Sequence, residues 1–164
     1  MRNFAWGFLG LVLLLIYGSC KKDSDCGYSY QNITAPASEQ KAVKNYLDSI
    51  GTHTAVKDSS GFYYEILDDG SGSNPNLCSQ VEVTYTGKLT NGNIFEQKST
   101  AFTLGSSIEG LKKGIPLMKK GGHMKLYIPP SLAYGSTEVK DDGGNVVIPA
   151  NSILIFDMNL TNFE

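Results

Sequence analysis

Residues 83–96 read VTYTGKLTNGNIFE and residues 123–135 read HMKLYIPPSLAYG. In the first stretch and just before it, Val81, Val83 and Tyr85 alternate with Glu82, Thr84 and Thr86. That period of two belongs to a strand with one buried face, and it carries from Val81 to Leu89. Asn91-Gly92 supplies the residues of a tight hairpin turn, and Ile94-Phe95 begins the return. In the second stretch Met124, Leu126 and Ile128 share one face, and His123, Lys125 and Tyr127 share the other. Two amphipathic strands and a hairpin turn point to an antiparallel sheet.

Working outward, Ile153 to Phe163 reads as a final strand, Phe62 to Leu67 as an early one, and Phe102 to Leu104 as a short apolar piece. Residues 68–76 (DDGSGSNPN) are a turn-rich connection. Gly110 to Lys119 has the pattern of a short helix, although Gly114 and Pro116 weaken it, and Gly121-Gly122 ends it. Pro129 to Asn151 is a long excursion with few strand signals. Pro36 to Ile50 reads as a helix: Thr34 or Ser38 is suited to cap it, Pro36 to its first turn, and Gly51 to its stop. Val43, Tyr46, Leu47 and Ile50 place one apolar stripe along it, which packs it on the domain. The fold class is α+β: a curved antiparallel sheet around a short central helix, with an N-terminal helical extension.

The chain has 164 residues, 41% of them hydrophobic and 18% charged, with a net charge of −2. Acidic and basic residues are mixed, so no basic stripe offers a footprint for nucleic acid. The three cysteines, Cys20, Cys26 and Cys78, and the two histidines, His53 and His123, form no cluster with metal-ligand spacing. No metal or cofactor is expected. No Ser/His/Asp or Cys/His arrangement suggests a hydrolase.

The first nineteen residues have the layout of an export signal: Arg2, an apolar run from Phe8 to Tyr17, then Gly18 and Ser19. The run is short for a bilayer core of about 30 Å. Gly18-Ser19-Cys20 resembles the lipobox of bacterial lipoproteins, with Tyr17 where that family usually has Leu. The resemblance implies acylation at Cys20 and anchoring to a membrane, periplasm-facing or at the cell surface. The polar residues 21–25 resemble the charged segments that follow the acylated cysteine in Bacteroidetes-type lipoproteins. Residues 20–35 are then a tether, 36–78 an N-terminal extension and 79–164 the main domain. Export permits disulfides; with Cys20 acylated, Cys26 and Cys78 remain and are expected to be joined, for roughly 3–5 kcal/mol of stabilisation.

From Val81 onward the chain resembles the FKBP-type peptidyl-prolyl cis-trans isomerases. The resemblance is carried by residues 83–96, FTLG (102–105), IEGLKKGIPLMKKGGHMKLYIPPSLAYG (108–135) and VIPANSILIFDMNL (147–160), in the family's order. It implies an apolar pocket for a prolyl ring, built from Tyr85, Phe95, Ile108, Tyr134 and Phe156 with Leu111, Val147 and Ile148. It also implies that the Ile108 N–H and the Tyr134 hydroxyl donate to substrate carbonyls. Glu96 stands where the family usually has Asp, and it is expected to orient Tyr134 or polarise the rim. Leu111 replaces a frequent Trp, and Thr100 replaces a pocket aromatic. The implied substrates are proline-containing, unfolded or partly folded exported proteins. A non-catalytic proline-segment binder, or an envelope scaffold of the same fold, is the alternative.

Overall fold

The computed structural model describes residues 26–164. The expected export signal and the expected acylation site, Cys20, lie outside the described residues. After helix α1 (Ala37–Ser49) come strands β1 (Val56–Lys57), β2 (Tyr63–Asp68), β3 (Gln80–Leu89) and β4 (Ile94–Thr103). Helix α2 (Glu109–Gly114), β5 (His123–Ile128), β6 (Val139–Lys140), β7 (Val146–Ile148) and β8 (Leu154–Phe163) follow. Six strands make one antiparallel sheet in the order β1-β2-β5-β8-β3-β4, and β6 and β7 pair separately as a hairpin.

Alternation decides which face each residue takes. Val81 and Val83 on β3, Met124, Leu126 and Ile128 on β5, and Leu154, Phe156, Met158 and Leu160 on β8 turn to one face and are buried together. Helix α2 lies against that face. Its glycines explain its weak helical signal: a Cβ at Gly110 would meet Ile128 at 2.4 Å, and one at Gly114 would meet Leu126 at 2.6 Å. The bare backbone lets α2 settle directly on β5, a close approach that outweighs the helix propensity forfeited.

The opposite face is covered at one end by α1. Val43 and Leu47 are buried against Tyr63, Tyr127 and Ile155, with Tyr46 alongside. Tyr127, expected on the polar face of its strand, is buried because this helix sits over it. Ile50, the last residue of the expected stripe, is exposed. The helix has Pro36 at its N-cap position and no side-chain cap, so neither Thr34 nor Ser38 caps it.

Two sequence expectations are corrected in the strands. The returning strand runs on through Phe102 and Thr103 of the expected apolar piece as one ten-residue strand, β4, paired with β3 from Gln80↔Thr103 to Lys88↔Ile94, and Leu104 opens a 3-10 turn. The excursion after Pro129 also contains the β6–β7 hairpin. The turn expected at Asn91-Gly92 forms, with the Gly92 N–H donating to the Leu89 carbonyl at 3.0 Å.

Of the expected tether, residues 26–35 are bonded onto the domain. A disulfide joins Cys26 to Cys78 with a Cα–Cα distance of 5.6 Å, as expected from the sequence. The Gln31 N–H donates to the buried Glu109 carboxylate at 3.1 Å, and the Lys113 ammonium donates to the Ile33 carbonyl at 3.0 Å. A Cβ at Gly105 would strike the Tyr28 ring. The segment therefore runs alongside α2 and the residues that lead into it. No described helix is long and apolar enough to cross a membrane.

Candidate functional site

A cavity of about 340 Å³ opens between the sheet and the segment leading into α2. Its walls come from β3 (Tyr85), β4 (Phe95, Glu96, Phe102), residues 106–111 (Ser106, Ser107, Ile108, Leu111), the loop after β5 (Tyr134) and β8 (Phe156).

Local chain geometry aims the rings. Between Gly87↔Glu96 and Lys88↔Ile94 the β3–β4 register slips, so Phe95 is the extra residue of a bulge. A bulge re-aims its side chain. The Phe95 ring folds back over Gly87, where a Cβ would come within 2.5 Å of it. Gly87 is also opposite Phe156 on β8. Phe156 is the hub: its ring meets Tyr85 at a centroid distance of 5.6 Å and 60°, and Phe95 at 5.7 Å and 82°. Edge-to-face contacts of this kind fix ring orientations. The three rings thus form walls and leave an opening.

One polar group is built into the aromatic wall. The Tyr85 hydroxyl donates to Glu96 Oε2, and the Lys98 ammonium pairs with Glu96 Oε1. Burial, then the hydrogen bond and charge of Glu96, hold the Tyr85 phenol well above its ordinary range. Burial pushes the Glu96 carboxyl up, but the hydrogen bonds from Lys98 and Tyr85 and the Lys98 charge outweigh it, and its pKa lies below the usual carboxylate value. Tyr134 stands at the rim, 42% exposed. Burial and the Glu96 charge raise its pKa, opposed by Lys98. Both phenols are therefore neutral donors near neutral pH.

The structure brings together Tyr85, Phe95, Glu96, Ile108, Leu111, Tyr134 and Phe156. Val147 and Ile148 are outside this lining. Ile148 is turned into the core at 4% exposure, and its neighbour Val147 faces a different depression on the far side of Phe95. Glu96 bonds Tyr85, not Tyr134, because β3 and β4 place them side by side. Sequence reasoning missed Phe102, Ser106 and Ser107. Phe102 was legible in principle: on a continuous β4 it falls on the same face as Glu96 and Thr100. It, and not Thr100, lines the cavity. His123 lies elsewhere on the sheet, its Nε2 at 2.7 Å from Asp157 Oδ1.

Residues 72–161 match the family model for FKBP-type peptidyl-prolyl cis-trans isomerase. The chain belongs to this family. It is 36% identical over 134 residues to the FKBP-type peptidyl-prolyl cis-trans isomerase FkpA of Escherichia coli strain K12, covering 78% of this chain and 47% of FkpA. It is also 36% identical over 111 residues to the peptidyl-prolyl cis-trans isomerase Mip of Coxiella burnetii, covering 65% of this chain and 46% of Mip. The chain thus spans about half the length of these relatives. The crystal structure of Escherichia coli FkpA superposes with a TM-score of 0.66 at 32% identity, over 78% of this chain and 60% of that one. A peptidyl-prolyl cis-trans isomerase from Pseudomonas syringae superposes with a TM-score of 0.65 at 28% identity, over 79% of this chain and 97% of that one. The family match begins at Gly72, so α1, β1 and β2 precede it, yet β2 is hydrogen-bonded to β5 inside the same FKBP sheet.

Proposed function

We propose that this protein is a peptidyl-prolyl cis-trans isomerase that assists folding of exported, proline-containing proteins. The observation that carries the reading is the open aromatic cavity of about 340 Å³, which no side chain among the described residues fills.

Rotation about an X–Pro bond faces a barrier of about 18–20 kcal/mol because amide resonance must be broken. Uncatalysed exchange takes tens of seconds or longer. At the twisted transition state the carbonyl oxygen carries less charge than in the planar amide. A water-poor pocket walled by Tyr85, Phe95, Phe102 and Phe156 therefore favours the twisted form over the planar one. This is differential binding of the transition state. By analogy with the family, the Ile108 N–H and the Tyr134 hydroxyl hold the carbonyls flanking the rotating bond. Lowering the barrier by ~4 kcal/mol would give roughly a thousandfold acceleration. Glu96 exchanges no proton: it accepts from Tyr85 and fixes that ring in the wall.

The test is a protease-coupled assay with a proline-containing peptide and the chain lacking its first nineteen residues. Acceleration that is lost in Tyr134→Phe is expected. No acceleration by folded protein would overturn the proposal. Binding of the peptide without acceleration would leave a proline-segment binding module.

The same reading places the protein outside the cytoplasm, anchored through acylated Cys20. The signal-like segment and Gly18-Ser19-Cys20 support it, and the Cys26–Cys78 disulfide suits an oxidising compartment. Labelling with a radioactive fatty acid should mark the protein and not its Cys20→Ala variant. Equal labelling of both would end the assignment.

A further inference from the structure

The large sheet has two edges, and they are unlike. One is β1, two residues long. The other is β4, ten residues long. An open edge invites pairing with other chains, so proteins commonly shorten it, cover it or break it with proline. Strand β4 has no proline, and its bulge at Phe95 lies at its start. Lys98, the one charge between Gln97 and Thr103, is held by Glu96.

The register decides which backbone groups face out. The Leu104 N–H donates to the Ser79 carbonyl at 3.0 Å, and on the β8 side Gln80 and Glu164 exchange hydrogen bonds. Bonded and non-bonded pairs alternate along an antiparallel ladder. Phe102, Thr100 and Lys98 therefore bond Val81, Val83 and Tyr85. Ala101, Ser99 and Gln97, opposite Glu82, Thr84 and Thr86, turn their N–H and C=O groups outward. All three are exposed, and no described residue pairs with their outward side.

We propose that the β4 edge docks client chains: an extended segment flanking the substrate proline adds to the sheet as a further strand, paired with Gln97, Ser99 and Ala101. The assignment rests on the isomerase reading and deepens it. Edge and cavity are continuous, since Glu96 and Phe102, on either side of this stretch, line the prolyl cavity. An added strand lies about 4.8 Å beyond β4, and extended chain advances about 3.3 Å per residue, so roughly three or four residues lead from the cavity to the edge. Strand addition draws its affinity from the main chain. That suits a catalyst whose clients share only a proline and an unfolded backbone. A folded protein has no free strand to offer, so the edge selects unfolded clients.

The test compares kcat/KM for Ala-Leu-Pro-Phe and for the same peptide carrying Thr-Val-Thr-Lys-Thr-Val before or after it. At least one extended peptide should be favoured about tenfold or more, as several main-chain hydrogen bonds would give. N-methylation of every second residue of the extension removes donors on one of its two sides, and in one of the two phases the advantage should vanish. Ala101→Pro removes an outward N–H that β3 does not use, a change that edge strands tolerate. In that variant, shown to be folded by a thermal unfolding curve, the advantage should fall toward one. No advantage, or one that survives Ala101→Pro or both N-methylated phases, overturns the docking edge; the N-methylated peptides need only the wild-type protein. Independently, amide exchange at Gln97, Ser99 and Ala101 should slow when the extended peptide binds, and unprotected amides with peptide bound also overturn it. If the wild type accelerates no peptide, the isomerase reading fails, and the exchange measurement still decides whether the edge takes a strand.

Discussion

The Tyr85 hydroxyl donates its hydrogen bond to Glu96, tying the strand that carries one pocket ring to the neighbouring strand that carries another. Lys98 holds the other carboxylate oxygen. The pair is local in the sheet, since Tyr85 is opposite Lys98 and Gly87 is opposite Glu96, all on the pocket face. A carboxylate inside an aromatic wall would ordinarily be a liability. Here it is satisfied from both sides and its charge faces the rim.

Tyr85→Phe should raise the Glu96 pKa toward the ordinary carboxylate value, because one of its two hydrogen bonds disappears. Carbon-13 NMR titration of the side-chain carboxyl reads this directly; an unmoved pKa would mean that Lys98 alone sets it. Isomerase activity should fall about two- to tenfold, the usual worth of one hydrogen bond.

The activity itself should be level from about pH 6 to pH 9, given ordinary values near 4.3 for Glu and 10 for Tyr. Tyr85 and Tyr134 are shifted upward and Glu96 downward, so all three move away from this window. The Glu96 pKa is lower in the folded state than in the unfolded chain. Its contribution to stability is therefore present above the unfolded value and is lost as pH falls through the folded value. A bell-shaped profile centred near neutrality, from pH-dependent kcat/KM, would point to a proton-transfer step that this pocket does not provide.

Gly87→Ala should destabilise the protein by about 1–3 kcal/mol through overpacking. The new methyl must displace the Phe95 ring, which lies 2.5 Å from where it would sit. Because Phe95 is at a bulge it can swing away, so activity should suffer more than stability. Urea unfolding and peptide assays on the same sample separate the two effects. A variant with wild-type activity would show that the Phe95 orientation is dispensable.

How much of this was legible beforehand follows from burial. Strands β3, β5 and β8 lie in the sheet interior, where one face is sealed by α2, and their alternation reads cleanly. Strand β4 is an edge: Gln97, Lys98 and Ser99 are all exposed, so alternation fades mid-strand and the element looked like two pieces. The β6–β7 hairpin is two or three residues a side and borrows no core pattern. In the site, alternation set only the strand face of Tyr85, and the family motifs supplied Tyr85, Phe95, Ile108, Leu111, Tyr134 and Phe156 as pocket residues. Val147 and Ile148 could not be told apart, because neighbouring positions along β7 alternate between the core, which takes Ile148, and a separate depression, which takes Val147.

Leu47→Ala should cost about 2–5 kcal/mol, the usual range for an emptied core position, while leaving catalysis per folded molecule intact. Leu47 packs on Tyr63, Tyr127 and Ile155, on the face of the sheet opposite the cavity. Ile155 and Phe156 are consecutive on β8, and their side chains point to opposite sides. Denaturation midpoints and kcat/KM measured well below the midpoint distinguish the outcomes. A fall in kcat/KM of the folded variant would reveal coupling through the sheet between α1 and the pocket.

Reducing the Cys26–Cys78 bond should lower stability by at most about 4 kcal/mol, the chain-entropy value for its span of 52 residues. The fold should survive, because the sheet and its buried core do not depend on the crosslink. What should loosen is the segment from 26 to 35, whose remaining ties include the Gln31–Glu109, Lys113–Ile33, Ala35–Ser60 and Gln40–Ala35 hydrogen bonds. Tyr28 would leave Gly105, and Glu109, buried at 6% exposure, would gain water. Ser106, Ser107 and Ile108 lie between those two contacts and line the pocket, so the wall they form should become more mobile. Hydrogen exchange with and without reductant should therefore show faster exchange at residues 105–113 and little change in β5 and β8. The Cys26→Ser/Cys78→Ser variant should reproduce the effect without reductant. Uniform acceleration across the whole sheet would mean instead that the disulfide supports the global fold.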